Sequence, residues 1–270
     1  MTQSSKLLRD ALHGKWALVT GASAGIGLAL AEQLATGGAN LVLTARRQDR
    51  LEAIALRLQG QYGIETKIVP ADLADTAAPE QLFAATEGTG LAVEVLINNA
   101  GFGYYGRFAE GDAERQRRMV EVNCGAVVHL TRLFLPRMME RRRGHVMIVA
   151  STASYQPVPY MSTYAATKVF DRFLAEGLAQ EVAEYGIKVS ALCPGPTESE
   201  FHEIAGTRSQ FGKGRQSAEQ VARRGLEGLV RGEHWVIPYG AGKGIVLMER
   251  FLPRRFVSGM AARVFRPKAG

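Results

Sequence analysis

The chain has 270 residues, 46% of them hydrophobic, enough for one large or two small domains with a real core. No run of about 18 apolar residues occurs, so no segment reads as a membrane span. The opening MTQSSKLLRDALHGK lacks the apolar centre of a secretion signal, and the expectation is an unprocessed, cytoplasmic protein. Cys124 and Cys193 are the only cysteines; they have no metal or redox spacing and suit a reducing compartment. Residues 243–270 hold seven basic residues against one acid, a net of +6 within the total of +7. Charge confined to a tail, with a near-neutral body, argues against a nucleic-acid-binding face.

In chain order, Trp16–Thr20 reads as a short buried strand, and residues 26–34 as a helix with Leu30 and Leu34 on one face. Residues 41–44 form a second strand, 48–59 a helix with Leu51, Ile54 and Leu58 on one face, 66–69 a third strand and 79–86 a short helix. The fourth strand is 93–97. Residues 113–143 read as one long helix with a kink or break at Pro136. A strand at 145–150, a helix at 164–185, a strand at 188–192, the helix Ala218–Arg231 and a strand at 235–237 follow. Residues 244–266 make two helical pieces split by Pro253. Such alternation predicts an α/β fold: a doubly wound parallel sheet of about seven strands with helices on both faces. No repeat or linker divides it, so residues 1–270 read as one domain, with 243–270 as its basic amphipathic extension.

In such sheets ligands sit at the carboxyl ends of the strands, where strand order reverses. Residues 20–27, TGASAGIG, pass from strand to turn to helix start. Gly21, Gly25 and Gly27 place no Cβ before the outward-facing amides, which makes a phosphate site. The spacing is weak evidence alone: residues 101–106 match G-x-G-x-x-G without a helix behind them, and GASAG matches the G-x-S-x-G nucleophile elbow, making Ser23 a rival nucleophile. After the second strand, where an acid would grip the ribose of NAD, stand Ala45, Arg46 and Arg47. Guanidinium suits the 2′-phosphate of NADP, and cations at a helix start are otherwise mildly unfavourable. The expectation is NADP(H), preferred over NAD(H). Asp72, before Leu73, suits an adenine amino group or an ordinary helix-opening acid. Asn98, Asn99, Ala100 and Gly101 suit a turn, and the small pair also lets a flat cofactor pass. Tyr164 and Lys168 share a helix face, and an ammonium beside a phenol pulls its pKa from about 10 toward neutrality. Tyr164 then becomes a usable general acid or base. A second Tyr-x-x-x-Lys, Tyr239 to Lys243, lies in a glycine-rich loop and reads as a turn.

TGASAGIG, NNAG (98–101), Asn123, Ser151, YAATK (164–168) and Pro194-Gly195 together resemble the short-chain dehydrogenase/reductase family, over residues 15–240. The resemblance implies a single Rossmann-type domain and hydride transfer between a nicotinamide cofactor and a carbonyl or alcohol. It implies catalytic roles for Asn123, Ser151, Tyr164 and Lys168. Ser151 is chosen over Ser154 by its place thirteen residues before the tyrosine, and Asn123 is to bend its helix and order a relay water. It implies cofactor contacts from Gly21, Ser23, Gly25, Ile26 and Gly27, from Arg46, Arg47, Asp72 and Leu73, and from Asn98, Ala100 and Gly101. Tyr164 and Lys168 join these, with Pro194, Gly195, Thr197 and Ser199 on the nicotinamide side, Ser199 standing where the family has threonine. A homodimer or homotetramer through two long helices is also implied.

Residues 199–215, the family's substrate lid, mix Phe201, Ile204 and Phe211 with charges, and predict a small, largely apolar carbonyl or alcohol substrate. The basic tail covers the cleft or a partner subunit, or else touches an anionic membrane surface peripherally. Two other classes compete: a serine hydrolase using Ser23, which lacks a histidine in a marked context, and a dinucleotide sensor without turnover, which has no need of a proton relay.

Overall fold

The computed structural model describes residues 3–206, 216–239, 244, 246 and 251–267. Its strands are β1 (Trp16–Thr20), β2 (Asn40–Thr44), β3 (Thr66–Ile68), β4 (Val93–Asn98), β5 (Gly144–Val149), β6 (Ile187–Leu192) and β7 (Trp235–Val236), all parallel, in the order β3-β2-β1-β4-β5-β6-β7. The central strands are largely apolar because both faces of the sheet are covered. Ala17 and Val19 enter one core and Leu18 the other; Leu41 and Leu43 part from Val42 in the same way.

On the first face lie α1 (Gln3–Leu12), α2 (Gly25–Thr36), α3 (Gln48–Tyr62) and α9 (Ala218–Arg231). On the second lie α4 (Ala78–Ala85), α6 (Ala126–Arg141) and α7 (Ser162–Glu181). α5 (Ala113–Val120) precedes α6, α8 (Phe201–Ala205) follows β6, and α10 (Arg254–Phe265) ends the described chain. The sequence reading assigned no element to residues 3–12. They form α1 because Leu8 and Leu12, four apart, reach full burial beside α2 and α9, each worth about 1.5–3 kcal/mol.

The long helix breaks at a different place from the one expected. α6 runs through Pro136, where the lost backbone bond falls at exposed Arg132, and the irregularity is a π turn at Glu121–Gly125, around Asn123. The first helical piece expected before Pro253 lies mostly outside the described residues.

Strand order reverses at β1, which pairs with both β2 and β4. One hydroxyl ties the two strand ends that flank this crevice. Thr20 Oγ1 donates to the Ile97 carbonyl (3.2 Å) and accepts from the amides of Asn99 (2.8 Å) and Ala100 (2.9 Å).

Candidate active site

The turn after β1 passes through Gly21 (φ +66°) and Gly25 (φ +56°), left-handed conformations that favour glycine. A Cβ on Gly27 would strike the Gly21 carbonyl and the Asn99 amide, so α2 packs this close only with glycine there. Its N-cap, Ala24, offers no side-chain bond to the first-turn amides, which are left for an anion. These features fit a dinucleotide diphosphate.

Arg47, at the N-cap of α3, lines the same cleft. Its Nη2 and Nε donate to Ser23 Oγ at 3.0 and 3.3 Å, and its Nη1 to Glu200 Oε2 at 2.8 Å. Arg50 Nη1 donates to the other Glu200 oxygen at 2.7 Å. Hydrogen bonds from Arg50 and then Arg47 hold the Glu200 carboxyl below the usual carboxylate range. Ser23 thus meets a cation rather than a base, which removes the geometry a hydrolase would need.

Of the residues expected at the cofactor end, four stand outside the cleft lining. Arg46 is exposed and has no hydrogen-bond or ion-pair partner among the described residues. Asp72 pairs with Arg118 at 2.9 Å and caps the Ala74 amide at 3.0 Å, while Leu73 is buried in the second core. Asn98 corrects the sequence reading: its side chain turns into the core, donating to Thr131 Oγ1 at 3.0 Å. Its neighbour Asn99 faces the cleft and donates to the Thr20 carbonyl at 2.8 Å. Gly21, Ser23, Gly25, Ile26, Gly27, Ala100 and Gly101 line the cleft, and so do Pro194, Gly195, Thr197 and Ser199.

At the chemical end, β5 delivers Ser151, and α7 delivers Tyr164 and Lys168. Ser151 Oγ accepts from the Ala153 amide at 3.1 Å and donates to the Pro194 carbonyl at 3.4 Å. Lys168, 5% exposed, places Nζ 5.9 Å from the centre of the Tyr164 ring. Nζ donates to the Val149 carbonyl and to Asp171 Oδ2, each at 2.8 Å. Asp171 is 1% exposed and its Oδ1 has no hydrogen-bond partner among the described residues. The sequence reading did not pick out this buried carboxylate.

Asp171 changes the electrostatics of the site. Burial, the largest effect, pulls the Lys168 ammonium down, but the charge of Asp171, the Tyr164 phenol, the hydrogen bond to Asp171 and Cys124 together outweigh it, so Lys168 ends raised and stays cationic. Burial pushes the Tyr164 phenol up; Lys168 and Ser151 pull it back only in part, and Asp171 adds to the rise. The phenol therefore rests above its ordinary value, against the lowered one expected from the lysine alone. Cys124 beside this group is pushed up to about 12, chiefly by burial, and Cys193 up to about 11, so both are thiols at neutral pH.

Asn123 is fully buried in its π turn. Its Oδ1 accepts from the Phe102 amide (3.1 Å), and its Nδ2 donates to the Phe102 carbonyl (3.1 Å) and Thr167 Oγ1 (3.0 Å). The side chain pins the β4 loop to α7, which leaves its amide protons no part in ordering a water.

The cleft encloses about 480 Å³. Beyond the catalytic group its wall is apolar, formed by Val158, Met161, Phe201, Ile204, Val246 and Phe265, with the Phe201 ring centred 5.2 Å from that of Tyr164. Tyr239, read as part of a turn, also lines it; Lys243 lies outside the described residues.

A glycine turn at a strand-order reversal, beside a Ser-Tyr-Lys cluster, defines an α/β oxidoreductase. The chain belongs to the short-chain dehydrogenase family, whose model matches residues 15–209. The very-long-chain 3-oxoacyl-CoA reductase-B of Danio rerio is 35% identical over 195 residues, 71% of this chain and 62% of that protein. A short-chain dehydrogenase from Sphingobium yanoikuyae, solved in complex with NADPH, is 31% identical with a TM-score of 0.79, over 95% of this chain and 98% of that one. The bulky-bulky ketone specific alcohol dehydrogenase from Comamonas testosteroni is 28% identical with a TM-score of 0.76, over 95% and 97%.

Proposed function

We propose that this oxidoreductase reduces a largely apolar ketone with NADPH, a 3-oxoacyl thioester being the first candidate, with Tyr164 as the proton donor. The observation that carries the reading is the Ser151, Tyr164 and Lys168 group set between the glycine turn and an apolar wall. When bound, the nicotinamide supplies the hydride. The Gly21 to Gly27 turn would hold its diphosphate, and Arg47 the 2′-phosphate, which favours NADPH over NADH. Ser151 holds the carbonyl oxygen beside Tyr164, and Tyr164 gives that oxygen its phenolic proton. Two of the three Lys168 N–H groups are taken by Val149 and Asp171, leaving one for a ribose hydroxyl or a relay water. Burial, with a smaller contribution from the Asp171 charge, keeps Tyr164 protonated, the state that reduction consumes. The named substrates of the two reductive relatives, a long acyl chain and bulky ketones, support an apolar substrate. A second copy of the chain covers the α6–α7 face, where Val128, Phe170 and Phe173 are exposed.

The test is NADPH consumption with a panel of 3-oxoacyl thioesters and bulky ketones. Tyr164→Phe lowers kcat about 10³-fold and leaves NADPH affinity unchanged. Full activity in that variant, or no turnover of any carbonyl by the unaltered chain, overturns the reading.

A further inference from the structure

α10 carries two apolar faces. Val257 and Ala261 are buried against the body, and Phe265 lines the cleft. Phe256, Met260 and Val264, spaced four apart, form a second stripe that stays 53, 50 and 69% exposed, and Phe251 just before it is 82% exposed. Arg254, Arg255, Arg263 and Arg266 are all exposed, with no carboxylate partner among the described residues, and residues 251–270 contain no acid. Isolated exposed apolar side chains are ordinary, but a continuous stripe edged by cations is not.

We infer that α10 lies on an anionic lipid bilayer, with Phe251, Phe256, Met260 and Val264 among the acyl chains and the arginines among the lipid phosphates. Charge favours lipid over a second copy of the chain: a symmetric pairing through this helix would bring two sets of unpaired arginines together. No described helix is long and apolar enough to cross a membrane, so the contact is peripheral. Phe265 belongs to both the helix and the cleft wall, which places the bilayer at the cleft mouth. Under the function proposed above, an apolar substrate then passes from lipid to site without crossing water; the docking itself does not depend on that reading.

The experiment is co-sedimentation of the full chain with phosphatidylcholine vesicles, with and without about 30% phosphatidylserine. The chain is expected to pellet with the anionic vesicles, to stay in solution with the neutral ones, and to be released by salt. Phe256→Ser with Met260→Ser, and separately Arg255→Glu with Arg263→Glu, each lower the bound fraction about fivefold or more, with Tm and turnover of a water-soluble ketone unchanged. Equal binding to neutral vesicles, no binding to either, or binding indifferent to both variants overturns the proposal. So does a lipid-free oligomer that the Phe256 and Met260 changes dissociate. Vesicle binding by a chain that reduces no carbonyl would sink the proposed function and leave the docking intact.

Discussion

Asp171→Asn is the sharpest probe of the catalytic group, because it removes one charge and keeps the shape. Lys168 Nζ stands 5.9 Å from the Tyr164 ring centre, where a unit charge at an effective dielectric constant of about 20 is worth roughly 3 kcal/mol. Asp171 Oδ2 is 2.8 Å from that ammonium, which puts the opposing charge within about 9 Å of the ring and its effect at roughly 2 kcal/mol. The other charged or titratable neighbours are Cys124 and Glu121 of the π turn, and the substitution leaves both in place. In Asp171→Asn, with Lys168 still a cation, the phenol pKa is expected to fall. Reduction needs the protonated phenol, so its activity is lost as pH rises through that pKa; oxidation needs the phenolate and is gained there. Both limbs must move to lower pH. Steady-state rates in both directions across pH, with Tm and NADPH affinity as controls, measure this. Limbs that stay in place or move upward, in a variant with unaltered Tm, refute the assignment.

Two further outcomes are expected. Arg47→Ala weakens NADPH binding about tenfold or more and NADH binding much less, as read by fluorescence titration, while Arg46→Ala has the smaller effect of the pair; equal losses for both dinucleotides would remove the 2′-phosphate contact. His145, buried on β5 with Nδ1 unpartnered, is held neutral by burial and by Lys15 and Lys188, its pKa pushed down to about 4. The unfolded chain binds this proton first, so stability is lost as pH falls from about 6.5 to about 4, by up to roughly 3 kcal/mol. Denaturant midpoints across that window should show a shallower fall in His145→Gln.

The sheet was legible because its central strands are largely apolar, and β1, β4 and β5 end at or near glycine, asparagine or serine. Tyr164 and Lys168 were legible because their spacing puts them on one helix face; Ser151 was picked out over Ser154 by the family resemblance. Asn98 and Asn99 were not separable in the same way: adjacent residues at a strand end point to opposite faces, and the sequence does not say which. Asp171, between Phe170 and Arg172, reads as a surface acid; only the packing of α7 shows that its carboxylate faces Lys168. Glu200 is separated from Arg47 by 153 positions, a pairing that no local pattern encodes. The π turn at Asn123 displaced an expectation placed on Pro136, because a buried side chain making three hydrogen bonds reshapes a helix more than one missing amide at an exposed turn.

The carboxylate of Glu200 already occupies two guanidinium groups at the adenosine end, and it hangs from the same short stretch as Phe201 and Ile204. If a 2′-phosphate takes Arg47 as proposed, it competes with Glu200 for that guanidinium, and a displaced Glu200 is expected to tug on the wall against which a ketone would rest. On that reading, loading one end of the cleft and shaping the other are linked events, and a dinucleotide without the extra phosphate is expected to leave that wall where it stands.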